Sequence, residues 1–169
     1  VKLCSKEIRF GLIMTFRHRL NKYFYLMHRM FSVFFSNFLF RLKCKWLGVE
    51  LGSGNVVDGK VFLRCYRDGD ISIGKKFRLN SREGSNLVGV SNKASIVALQ
   101  GGEVKIGDSC AFTSVIISSR TSIEIGDRTM IGANVRIIDH DFHSMDSLNR
   151  FHKSSNDILS RSILIGKDV

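Results

Sequence analysis

Proline is absent from all 169 residues, where ordinary usage near 5% leads one to expect about eight. Its absence leaves no fixed break in any helical pattern. Cysteine is sparse: Cys4, Cys44, Cys65 and Cys110 are scattered, and none forms a C-x-x-C pair. That spacing argues against a disulfide framework and a zinc-ribbon site, and it fits a reducing cytoplasm. No secretory signal peptide with a small-residue cleavage site is present. Long apolar runs are missing too. The charge-free stretch Met30 to Phe40 is 11 residues long, well short of the roughly 20 that a membrane-spanning helix needs. Acids are nearly absent from residues 1–47, which hold Glu7 against ten Lys or Arg. Glycine is nearly absent there as well, with Gly11 alone out of 15 in the chain.

What residues 1–47 do contain is Phe, eight of the chain's 13. The composition changes near Gly48, so the chain divides into a basic, aromatic, helical extension over 1–47 and a glycine-punctuated β-region over 48–169. Ile8 to Leu47 is expected to be helical, with breaks near Asn21 and Asn37. Arg17, Arg19 and Lys22 precede the uncharged stretch, and Arg41, Lys43 and Lys45 follow it. Cations flanking a short aromatic run suit a helix lying in a membrane interface. The competing reading is an arm whose Phe-rich face packs on its own β-region or on a neighbouring subunit. Nucleic acid is not an expected partner, because no recognition motif accompanies the positive charge.

The β-region repeats one phrase five times: aliphatic, any residue, aliphatic, glycine, polar. The copies are Val49–Ser53, Ile71–Lys75, Val104–Asp108, Ile123–Asp127 and Ile163–Lys167. After the fourth, Ile125-Gly126, Ile131-Gly132 and Ile137-Ile138 follow at six-residue intervals. A hexapeptide rhythm of this kind predicts a parallel β-helix, in which three short strands make one coil of about 18 residues. Alternation points one aliphatic row inward, and the glycine is expected to let the chain turn each corner without a Cβ clash. The spacings from Leu51 through Ile73, Ile106 and Ile125 to Ile165 are 22, 33, 19 and 40 residues. The last is read as one coil plus a polar loop extruded over about residues 139–160. The chain starts with Val and opens a final coil at Ile163-Leu164-Ile165-Gly166, so these 169 residues are read as C-terminally incomplete. In that form the chain is expected to be inactive and poorly soluble, because apolar residues and strand edges are left uncovered.

Where the rhythm breaks, two imidazoles and three carboxylates crowd together: Asp139, His140, Asp141, His143 and Asp146. A histidine there can take a proton from a hydroxyl near neutral pH, and a neighbouring carboxylate can orient it. The rivals are a metal shell drawing on His140, His143, Asp139 or Asp141 and His152, and a loop whose histidines only hydrogen-bond. A three-histidine zinc site of the γ-carbonic-anhydrase kind takes its ligands from separate coils. The coils from Leu51 to Ile137 contain no histidine.

The run IEIGDRTMIGANVRIIDHDFHSMD (Ile123–Asp146) and the later SILIGKDV (Ser162–Val169) resemble the hexapeptide-repeat O-acetyltransferases of the left-handed β-helix superfamily. The likeness is to the maltose- and galactoside-acetyltransferase group found with polysaccharide biosynthesis. The resemblance implies left-handed coils and a homotrimer with sites between subunits. Acetyl-CoA would be the acyl donor, with no metal, and a hydroxyl of a sugar or of a capsule, O-antigen or exopolysaccharide precursor the acceptor. It implies His140 as the general base, with His143 next. Asp139 or Asp141 would orient the base, and Asn134 and Asp146 would line the acceptor pocket. The coils that supply most of the CoA groove in that family do not appear in this sequence, so no cofactor-binding residue is assigned. The expected location is the cytoplasm, at the inner membrane face if residues 1–47 touch lipid. The alternative function is a non-catalytic, trimerising scaffold.

Overall fold

A computed structural model describes the backbone of residues 2–151 and 157–169, with side chains from residue 18 onward. His152 lies outside the described residues. The β-region is built in circuits of three short strands. β1 (Glu50–Leu51), β2 (Val56–Asp58) and β3 (Phe62–Cys65) form the first circuit. The second holds β4 (Asp70–Ile73), β5 (Arg78–Asn80) and β6 (Ser95–Ala98). The third holds β7 (Glu103–Ile106), β8 (Ala111–Thr113) and β9 (Ile116–Ser119). β10 (Ser122–Ile125), β11 (Met130–Ile131) and β12 (Arg136–Ile138) follow, and β13 (Ile163–Ile165) opens a fifth. Each strand pairs in parallel with its counterpart one circuit away, giving sheets in the orders β1-β4-β7-β10-β13, β11-β8-β5-β2 and β12-β9-β6-β3. Three parallel sheets of short strands are consistent with a parallel β-helix.

The pairing registers stack like on like. Ile71, Val104, Ile123 and Ile163 form one column, and Leu51, Ile73, Ile106, Ile125 and Ile165 another. Val57, Leu79 and Phe112 line the second sheet, and Leu63, Ile96, Ile117 and Ile137 the third. These columns are the core, and nearly all of their members are buried. All five glycine phrases fall in the first sheet. Residues 81–94 leave between β5 and β6, and residues 139–162 lie between β12 and β13.

Four of the five phrase glycines, Gly52, Gly74, Gly107 and Gly126, are needed for close approach rather than for the expected corner, whereas an added Cβ on Gly166 meets nothing within 4 Å. A Cβ on Gly74 would sit 2.7 Å from the carbonyl carbon of Gly107, and one on Gly126 would sit 2.6 Å from the amide of Lys167. Close approach of the next circuit is the constraint. The turn itself is made two residues later by Lys76, Ser109, Arg128 and Asp168, all at φ between 56° and 62°. Non-glycine residues tolerate this left-handed region only when the surroundings hold them there. Here each takes a backbone bond across the circuits, such as Ser109 N to Lys75 O at 2.7 Å and Arg128 N to Asp108 O at 2.8 Å.

α1 (Lys2–Leu47) runs unbroken for 46 residues, so the expected breaks at Asn21 and Asn37 do not occur. Asn37 is satisfied without leaving the helix. Its Nδ2 donates to Val33 O at 2.7 Å and to Val57 O at 3.2 Å, and its Oδ1 accepts from Val57 N at 2.9 Å. β2 is the outer strand of its sheet, so one side-chain amide replaces the rung that a further strand would supply. Phe40 and Cys44, one and two turns on, bury into the end of the core. The helix stops at Gly48 (φ 71°), where Val49 N bonds back to Cys44 O at 2.9 Å. This six-to-one closure satisfies an otherwise orphaned carbonyl. Among the described residues no helix is long and apolar enough to cross a membrane.

Candidate functional site

The corner that follows β12 brings Asp139 and His140 together with Ser118 and Ser119. Asp139 comes two residues after the inward Ile137 and therefore points the same way. Its carboxylate is buried, 5% exposed, and accepts from Ser119 Oγ at 2.8 Å, Arg120 N at 2.7 Å and Thr121 N at 2.9 Å. It thus fastens the turn of the circuit below. Its two oxygens take all three of these donors.

His140 follows on the opposite side of the strand, 8% exposed. Its Nδ1 lies 2.9 Å from the backbone carbonyl of Asp141, and its Nε2 lies 3.0 Å from Ser118 Oγ. A carbonyl oxygen can only accept, so in the neutral ring Nδ1 carries the proton and Nε2 keeps a lone pair. The Ser118 hydroxyl then donates to that lone pair. Phe142 packs edge-on against the imidazole at a centroid distance of 4.8 Å. The loop is closed at its root. His140 bridges to Ser160, Asp141 N donates to Leu159 O at 3.0 Å, and Arg161 N donates to Asp139 O at 2.8 Å. A hydroxyl-to-hydroxyl bond from Thr121 to Ser160, 2.7 Å, ties the root to the circuit below.

The other candidates are placed elsewhere. The Asp141 side chain is exposed, and only its carbonyl touches the His140 ring. His143 is exposed. Asp146 caps the short helix α2 (Ser147–Phe151), its Oδ1 accepting from Leu148 N at 3.0 Å and Asn149 N at 2.9 Å. Asn134 sits at a different corner, between the second and third sheets, at φ 64°. Its Oδ1 accepts from Ser91 Oγ at 2.8 Å and Ser114 Oγ at 3.2 Å. Among the described residues no three His, Cys, Asp or Glu side chains are grouped to hold a metal ion.

Ser118 and Ser119 belong to the site and were not singled out from the sequence. The signal was present: Ser119 stands two residues after the inward Ile117, so a hydroxyl takes an interior slot, and a buried hydroxyl needs a partner. Register supplies it, because Ile137 pairs with Ile117 and the next inward positions on the two strands are Asp139 and Ser119.

The thiols are not part of this chemistry. Burial pushes Cys44 up to about 11, and burial likewise raises Cys110 and Cys65 above the ordinary thiol range. No family profile matches this chain, and no curated protein or solved structure matches it either.

Proposed function

We propose that the complete protein is an O-acyltransferase that uses His140 as general base on an acceptor hydroxyl. The observation that carries this reading is the imidazole itself: almost buried, its Nδ1–H fixed on the Asp141 carbonyl, and its Nε2 lone pair turned to a hydroxyl. An acceptor hydroxyl that displaces Ser118 from Nε2 gives up its proton there as its oxygen attacks a thioester carbonyl. The carbon–sulfur bond breaks, and the imidazolium returns the proton to the leaving thiolate. Asp139 and Ser119 position the strand end that carries the ring.

The donor and acceptor come from the likeness of Ile123–Asp146 and Ser162–Val169 to the hexapeptide acetyltransferases. They are acetyl-CoA and a sugar or polysaccharide-precursor hydroxyl, in a homotrimer of left-handed coils. The 1–47 helix adds peripheral contact with the inner membrane face. Leu20, Phe24, Met27, Phe31, Phe34 and Phe38 lie exposed along it, and cationic residues flank them. One observation favours a second reading, the non-catalytic scaffold: both ring nitrogens of His140 already have partners within the chain. Thiol release from acetyl-CoA separates the two. Release that depends on an added sugar acceptor supports the enzyme. A monodisperse trimer that releases no CoA with any hydroxyl acceptor supports the scaffold.

A further inference from the structure

A groove of about 980 Å³ runs between α1 and the turns at residues 59–61 and 81–93, at the upper end of the roughly 300–1,000 Å³ typical of small-molecule sites. Its walls are apolar: Phe31, Phe35 and Leu39 from the helix, Val61 and Val90 from the β-region. Its rim is cationic. Lys43, Lys60 and Lys93 line it, and Glu83 is the one acid among its lining residues. Arg82 also lines it, but its guanidinium is committed to Asp58 at 2.8 and 3.0 Å.

One flank of the groove is continuous with a second feature. Leu20, Phe24, Met27, Phe31, Phe34 and Phe38 recur at intervals of four and three along α1, and all are exposed, Phe31 and Phe34 at 71%. This stripe faces away from Asn37, Phe40 and Cys44, which hold the helix to the β-region. Phe31 belongs to both stripe and groove.

We propose that the groove holds one molecule of an anionic phospholipid taken from a bilayer surface, its acyl chain along the Phe and Val walls and its phosphate at Lys43, Lys60 and Lys93. Charge complementarity selects this occupant. A second copy of α1 would bring its own ten Lys and Arg against the same lysines, and like charges repel. A free anion would leave the apolar walls unused. The proposal goes beyond adsorption of the stripe on a membrane, because the site binds one lipid and needs no bilayer.

The test is a calorimetric titration of the protein with dihexanoyl phosphatidylglycerol held below its micelle-forming concentration. Saturable binding of one lipid per chain is expected. Surface lysines near an anionic head group add to its binding, so K60E/K93E should weaken binding at least tenfold, while K60R/K93R retains it. Val90→Trp, which fills the groove, should abolish it. If Val90→Trp does not fold, the exposed lysine pair still decides the question. The proposal is overturned by equal affinity for dihexanoyl phosphatidylcholine, by displacement with inorganic phosphate alone, by an affinity indifferent to K60E/K93E, or by no saturable binding. Phe34→Ser/Phe38→Ser separates this claim from the peripheral-membrane reading. That pair should release the protein from anionic vesicles and leave the soluble-lipid titration unchanged. Loss of the titration with vesicle binding intact refutes the groove alone.

Discussion

Asn37 fastens α1 to the outer strand β2 through two bonds to Val57. Asn37→Leu keeps the volume and the helix but deletes both bonds to Val57, at 2.9 and 3.2 Å. Val57 is fully buried, 0% exposed, so water cannot replace the amide. Each buried backbone group left unpaired costs about 1–3 kcal/mol. Two such groups give a loss of about 2–6 kcal/mol. At about 2–4 °C per kcal/mol for a chain of this size, the midpoint should fall by roughly 4–24 °C. Thermal melts at one fixed protein concentration measure this, since assembly would shift the midpoint by mass action. Hydrogen exchange localises it: the Val57 amide should lose protection while Val104 and Ile123, in the middle of the stack, keep theirs. Phe38→Leu, on the exposed face of the same helix, is the control and should change little. A shift under about 2 °C for Asn37→Leu, or an unchanged Val57 amide, would refute the view that one side-chain amide closes this sheet.

Three further outcomes follow from the same contacts. Gly74→Ala should destabilise by about 1–3 kcal/mol through overpacking against the next circuit, whereas Gly132→Ala, with no atom within 4 Å of the added carbon, should be tolerated; equal denaturation midpoints would contradict the stacking argument. Asp139→Asn keeps the shape but sets an amide donor against donors, and should cost about 2–4 kcal/mol; a midpoint unchanged in urea would show that the corner at Ser119–Thr121 holds without it. Cys44, pushed up to about 11 by burial, should resist alkylation in the folded chain at pH 8. Because its folded value lies above the unfolded one, the neutral thiol's stabilisation is full below about pH 9 and is lost as pH rises toward about 11; a chain equally stable at pH 8 and 10.5 would argue against that burial.

The β-region was readable because its information is periodic. An aliphatic–x–aliphatic–glycine phrase sets inward direction by strand alternation, and five copies at matching register can only stack on one another. The phrase at Ile163 shows this best. It is 40 residues from its predecessor, and Ile165 still pairs with Ile125. Other features carry no period. Asn37 lowers helix propensity locally, yet a partner 20 residues away makes it a sheet cap. Glycine has two uses, and only the neighbouring circuit reveals that Gly74 serves close approach rather than the turn. At the candidate site the residue pattern alone did not rank the five polar loop residues; only the family resemblance put His140 first. The fold separates them: His140 and Asp139 are buried at the root of the loop, and Asp141, His143 and Asp146 are exposed on it. That division depends on the pairing of Asp139–Asp141 with Leu159–Arg161, which no local pattern announces.

The central claim is that the His140 Nε2 lone pair removes the proton from an acceptor hydroxyl. The test is acceptor-dependent CoA release from acetyl-CoA, measured for the complete wild-type protein and its His140→Ala and His143→Ala variants, with acetyl-CoA affinity determined alongside. His140→Ala should lower turnover by about 10²–10⁴-fold with donor affinity little changed, and His143→Ala should keep most of the activity. Near-full turnover in His140→Ala together with its loss in His143→Ala would contradict the account and move the base to His143.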